Sequence, residues 1–189
     1  MENGTSAQHI TKVYSENLFV DPVYNSIQYI TAISRGDLPM VRYLRQGKCP
    51  WSISTCEYAA TYGHLEILKY IRENGCPWDS RSCSAAARNG RLDMLKYLHE
   101  NECPWNWKAC SKAARNGHLE TLIYLHEHGC PWNIWTSHNA SHNGNLKLFE
   151  YINVNGCPWN EWSRVNAKKA GNIDLLAYLD ENANDHIIN

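Results

Sequence analysis

Eight cysteines and nine histidines in 189 residues are the side chains with most chemistry to offer. Thiolate and imidazole are the preferred ligands of structural zinc, and a thiol beside an imidazole can act as a nucleophile. Spacing decides between these uses and plain packing. Five cysteines open Cys-Pro-Trp triplets at Cys49, Cys76, Cys103, Cys130 and Cys157, each 27 residues after the last. The other three, Cys56, Cys83 and Cys110, stand seven residues after a triplet cysteine. Zinc ligands usually pair across about two to four residues, so a gap of about six into a helix is a poor match. The fourth and fifth copies also keep Cys130 and Cys157 but place Ser137 and Arg164 at the partner position. A repeated metal or cross-linking site should not lose half of its ligands. Cysteine as a small buried apolar residue explains the pattern better, with Trp78 and Cys83 placed to form a hydrophobic staple at a helix start. The expectation is eight free thiols, no metal and no cofactor. No paired carboxylates, phosphate loop or triad-like arrangement stands out, so the chain reads as non-enzymatic.

The elements that carry these residues follow from the same period. A fixed repeat of this length marks a stacked-repeat protein. After each tryptophan comes Ser52, Asp79, Asn106, Asn133 or Asn160, the residue types that cap a helix N-terminus. A first helix follows, with small residues near its end (Ala59-Ala60, Ala86-Ala87, Ala113-Ala114), and stops at Gly63, Gly90, Gly117, Gly144 or Gly171. The second helix carries an apolar stripe, as in Leu92, Leu95 and Leu98, with an acidic residue in its first turn. It ends at Gly75, Gly129 or Gly156, with proline two residues later. The spacing therefore predicts an all-α solenoid of antiparallel helix pairs. Residues 25–184 hold six pairs of about 27 residues, 1–24 an N-terminal capping half-repeat with Asn25 as the next cap, and 185–189 a tail. Arg164, Lys168 and Lys169 replace apolar or small residues in the last pair, as a solvent-facing end requires.

The run "AATYGHLEILKYIRENGC", residues 59–76, resembles the ankyrin repeat, and "ARNGHLETLIYLHEHGC", residues 114–130, repeats the match. The glycine-to-glycine distance agrees with that family, but the unit is shorter than the ~33 residues of ankyrin and lacks the β-turn finger and the Thr-Pro-Leu-His start. Cys-Pro-Trp stands in their place. This shortened form is similar to ankyrin-like repeats of giant DNA viruses of amoebae. The resemblance implies a non-enzymatic scaffold for protein–protein interaction, and it implies that His64 and His118, in the slot after the loop glycine, tie neighbouring loops together. Arg91, Asp37, Asn145 and Asn172 fill that slot elsewhere.

In such a scaffold, specificity sits on exposed positions that differ between copies. Opposite the buried cysteine and alanines, the first helices present three ridges. One runs Ser54, Arg81, Lys108, Trp135, Trp162; the second Tyr58, Ala85, Lys112, Asn139, Asn166; the third Thr61, Arg88, Arg115, His142, Lys169. Tyr58, Arg81, Arg88, Lys108, Lys112, Arg115, Trp135, His142, Trp162 and Lys169 are the candidate partner-binding residues, with Trp107 at the flank. Tryptophan and arginine favour binding hot spots. The net charge of −1 hides an asymmetry: the first helices are basic and the second acidic. The expected partner is a protein with an acidic or apolar segment, bound by a monomer. Single-stranded RNA stacked on one aromatic or cation per repeat is the alternative, and a structural metal-binding repeat protein a third reading. The even charge balance offers no global attraction to DNA, and no apolar run is long enough to span a membrane. A cytoplasmic location is expected, in the host cytoplasm for a viral chain.

Overall fold

The computed structural model describes residues 22–182, with side chains from Ser26 onward. Most of the expected capping half-repeat and the whole of the tail lie outside the described residues. Twelve helices and no strand are present among those described. In chain order they are α1 Pro22–Arg35, α2 Leu38–Gln46, α3 Ile53–Tyr62, α4 Leu65–Glu73, α5 Ser80–Arg88 and α6 Leu92–Glu100. The second half holds α7 Trp107–Arg115, α8 Leu119–Glu127, α9 Ile134–Asn143, α10 Leu146–Val154, α11 Glu161–Lys169 and α12 Ile173–Glu181. Odd-numbered helices are the first members of each pair, and they pack chiefly on the first helices of adjacent pairs. The described residues form an all-α solenoid of six helix pairs, with a Cys-Pro-Trp turn where a β-finger would stand.

The caps explain where the first helices start. Asp79, Asn106, Asn133 and Asn160 each accept a hydrogen bond from the backbone N–H two residues on, at 2.9, 3.0, 3.0 and 3.1 Å. Ser52 does the same work through a capping box with Thr55. The exception is α1, which starts at Pro22, so Asn25 lies inside the helix rather than capping it. Proline at a first helical position lacks only an N–H that would have no partner within the helix anyway, and its fixed φ suits the helix.

The core is one continuous column. Ala59, Ala60, Ala86, Ala87, Ala113 and Ala114 are fully buried, as are Leu68, Ile71, Leu95, Leu98, Leu122 and Leu125 of the second helices. Alanine lets first helices approach closely, and the leucine stripes fill the space behind them. All eight cysteines are buried in this column and free. At its far end Arg164 turns to Asp180 and Glu161, while Lys168 and Lys169 meet solvent. The last described pair thus carries charge at its outer side.

Candidate interaction face

Loop geometry sets the spacing between neighbouring pairs. The His118 Nε2–H donates to Arg88 O across the joint at 3.1 Å, and His64 reaches Ser34 O at 3.4 Å. Each imidazole lies directly over the loop glycine of the preceding pair, where a Cβ on Gly90 would sit 2.7 Å from His118 Nδ1. Asn172 bridges to Gly144 O in the same way while capping its own helix through Leu175 N. Asn145 departs from the expectation. It only caps α10, accepting from Leu148 N at 3.2 Å, and Asn143 makes the bridge to Arg115 O instead. Asn143, the last residue of α9, already lies over Gly117, where the bridging side chain sits at the other joints.

The tryptophans of the joint pack against the core and also reach back along the preceding helix. Trp51, Trp78, Trp105 and Trp132 are half-buried, lying along the last turn of the preceding second helix. Each covers the side chain six residues before it. Arg45 sits 4.8 Å from the Trp51 ring and Arg72 4.1 Å from Trp78. His99 and His126 stack on Trp105 and Trp132 at 4.0 and 3.7 Å, both with interplanar angles of 9°. In the fifth copy Trp159 is buried and donates through Nε1 to Asn153 Oδ1 at 2.8 Å. A cation or polar group over the indole face or edge offsets the exposed side of the ring. The signal was present in the sequence as the series Arg45, Arg72, His99, His126, Asn153, each six residues before a tryptophan.

On the opposite side of the column, the first-helix ridges differ in exposure. Arg81, Lys108, Trp135 and Trp162 form an exposed row, with Trp135 at 55% and Trp162 at 60%. Arg88, Arg115, His142 and Lys169 make a second exposed row. The ridge between them is not a free surface. Ala85 is buried, and Tyr58 is half-buried against the core. Asn139 donates to Ser111 Oγ at 2.7 Å and accepts from Arg115 at 3.1 Å, while Asn166 donates to His138 O at 3.4 Å. Only Lys112 of that ridge is exposed. Asn139 and Asn166 reach back along the stack to the preceding first helix, so they serve the joint as much as the surface. Arg81 is also engaged, by Asp79 at 3.1 Å and Glu57 at 3.8 Å.

Two cavities open on this face at matching places in the repeat. One, of about 210 Å³, lies between α1 and α3 and reaches Ser54 and Tyr58. The other, about 480 Å³, lies between α7 and α9. It is walled by Trp107 and Trp135, with Lys108, Lys112, Ser111 and Asn139 around it. Lys108 Nζ lies 6.0 Å from the Trp107 ring centroid, and His138 meets Trp135 edge-on at 5.5 Å. An aromatic wall beside two cations accepts an apolar group and a negative charge together. Among the described residues no three His, Cys, Asp or Glu side chains converge as metal ligands. None of the helices is long and apolar enough to cross a membrane.

A family model described as ankyrin repeats (many copies) matches residues 56–99 and 83–126. Residues 56–126 carry ankyrin repeats. No curated protein matches it. The two matches overlap by a register shift of 27 residues and cover α3 through α8, where loop glycines, bridging side chains and leucine stripes recur most regularly. The same helix pairs continue on both sides of the matched segment. Ankyrin repeats are generally scaffolds for protein–protein interaction rather than enzymes.

Proposed function

We propose that the array is a non-enzymatic scaffold that holds an acidic segment of a protein partner, anchored by an apolar side chain, along its first-helix face. The observation that carries this is the cavity between α7 and α9, with tryptophan walls and Lys108 and Lys112 at its rim. An apolar side chain of the partner enters between Trp107 and Trp135. Its flanking carboxylates meet Lys108, Lys112, Arg115 and Arg88, and Trp162 extends the exposed aromatic row by one repeat. Exposed lysine and arginine on this face face no acidic second helix, because the second helices lie on the other side of each pair. On this reading the array acts as a monomer in a host cytoplasm, as the resemblance of its 27-residue unit to ankyrin-like repeats of giant DNA viruses implies.

Selection of a displayed random-peptide library on the wild-type array tests the reading. The expected winners combine aspartate or glutamate with an aromatic residue or leucine. They should not bind a Trp135→Ala/Trp162→Ala array of unchanged melting temperature. Salt separates the RNA alternative, since log affinity for single strands falls by roughly 0.7 per phosphate contact per log unit of salt. Oligo(U) is expected not to bind below ~10 μM at about 150 mM salt. Tighter RNA binding that is abolished by Arg81, Lys108 and Arg115 substitutions would transfer the face to nucleic acid.

A further inference from the structure

Each triplet cysteine faces the side chain twenty residues before it, on the first helix of the preceding pair. In chain order those partners are Tyr29, Cys56, Cys83, Cys110 and Ser137. Tyr29 donates through its hydroxyl to Cys49 O at 3.3 Å. Ser137 Oγ donates to Pro158 O at 2.6 Å, beside Cys157. Between these ends, three consecutive joints hold a thiol on both sides. Cys56 Sγ lies 3.1 Å from Cys76 Sγ. Cys83 with Cys103 and Cys110 with Cys130 hold the same two positions one and two repeats further on. Cys83 and Cys110 also approach the carbonyls of their partners at 3.8 and 3.7 Å. The pairing therefore crosses from one repeat to the next. It is not the seven-residue pairing along the chain that argued against a cross-link.

Packing alone does not require two thiols at one joint. Ser137 shows that a hydroxyl fills the same place and satisfies the turn carbonyl, and Tyr29 shows that a phenol does. We infer that Cys56–Cys76, Cys83–Cys103 and Cys110–Cys130 are three dithiol sites that hydrogen peroxide converts to disulfides, stapling each first helix to the turn that opens the next repeat. A sulfur–sulfur approach of about 1 Å from 3.1 Å reaches bond length. In the first pair Cys76 is the nucleophile. Hydrogen bonding from Cys56 draws its thiol below the ordinary cysteine value, helped by the charge of Arg72, which donates to Cys76 O at 3.2 Å.

The Cys76 thiolate attacks peroxide, an S–O bond forms as the O–O bond breaks, and hydroxide leaves to become water with the thiol's proton. Cys56 Sγ then attacks the sulfenic sulfur. The S–S bond forms, the S–O bond breaks, and the oxygen leaves as a second water carrying the Cys56 proton. Two thiols and one peroxide give one disulfide and two waters. Both sulfurs are buried, so the rate follows local opening of the joint rather than diffusion of the oxidant.

The array carries its own controls, because Cys49 and Cys157 lack a thiol partner. Folded protein treated with peroxide, and protein refolded in a glutathione redox buffer, should each be alkylated and mapped without reduction. The expected result in both is three disulfides, a loss of about two mass units per pair, and alkylation of Cys49 and Cys157 alone. Melting temperature should rise by about 5 °C or more, since each bond closes a loop in the unfolded chain. Cys56→Ser, which copies the natural Ser137, should fold, lose the first disulfide and keep the other two. Eight alkylated thiols after both treatments would overturn the assignment. So would scrambled pairs, or sulfinic acid at Cys76 in place of a disulfide.

Discussion

Lys48 and Glu102 hold φ of 60° and 62°, the left-handed conformation that Gly75, Gly129 and Gly156 adopt at the same place in other repeats. A side chain there strains the backbone against the following carbonyl. Glu102→Gly should therefore stabilise the protein by about 1 kcal/mol, and Gly129→Glu should cost a similar amount, read by denaturant unfolding. Gly90 carries a second constraint, since its φ of 63° is joined by the His118 ring lying where a Cβ would go. Gly90→Ala should destabilise, and His118→Ala in the same chain should recover part of the loss by removing the clash. At this scale the sequence was highly legible. Caps, loop glycines and the odd glutamate announce their backbone directly, because each relieves a local cost. What escaped was the division of labour between Asn143 and Asn145, which depends on α9 running on to Asn143 and so placing that side chain over Gly117.

Among the helices, the tryptophans show where periodicity stops informing. Their place one residue before a cap was evident, yet whether an indole turns toward its own helix or back along the preceding one depends on what covers its face. Arg45, Arg72, His99 and His126 settle that in favour of the preceding helix. Truncation costs should follow burial. Trp159→Ala should cost about 3–5 kcal/mol, because it empties a buried site and strands Asn153. Half-buried Trp105→Ala should cost less, about 1–3 kcal/mol, and exposed Trp162→Ala under about 0.5 kcal/mol. Equal losses at Trp105 and Trp162 would contradict the assignment. The histidine stack adds a pH dependence. Burial, and then the neighbouring His128, push the His99 imidazole below its ordinary value. The folded state therefore takes up its proton later than the unfolded chain does. Stability is full above the unfolded value of about 6.5 and falls as pH drops through that value toward the folded one. Melting curves between about pH 8 and pH 5 should show this decline, and His99→Gln should flatten part of it.

For the whole molecule, the 27-residue period disclosed the column and its charged end, but the binding face emerged only in part. Exposure of Trp135 and Trp162 followed from helical angle alone, whereas burial of Ala85 and the bonds of Asn139 and Asn166 arise from the tight approach of adjacent first helices. A single-chain pattern cannot register a neighbour one repeat away. That neighbour-to-neighbour construction also governs how the array comes apart. Each pair touches only those beside it, so stability is close to a sum of pair and joint contributions, and among the described residues α11 and α12 have a neighbouring pair on one side only. The C-terminal pair is further weakened by an outer helix with Ile173 79% exposed and only Leu175 and Leu179 buried. The central pairs, α5 to α8, combine fully buried alanines, leucines and Met94 with bridged loops on both sides. Amide hydrogen exchange in mild denaturant should therefore open α11 and α12 first and α5 to α8 last, with a graded profile between them. Asn172→Ala removes both the cap of α12 and the bridge to Gly144, and should speed exchange in the last two pairs while leaving α5 to α8 unchanged. A single exchange rate along the whole chain, moving as one with that substitution, would show that the column unfolds as an indivisible unit.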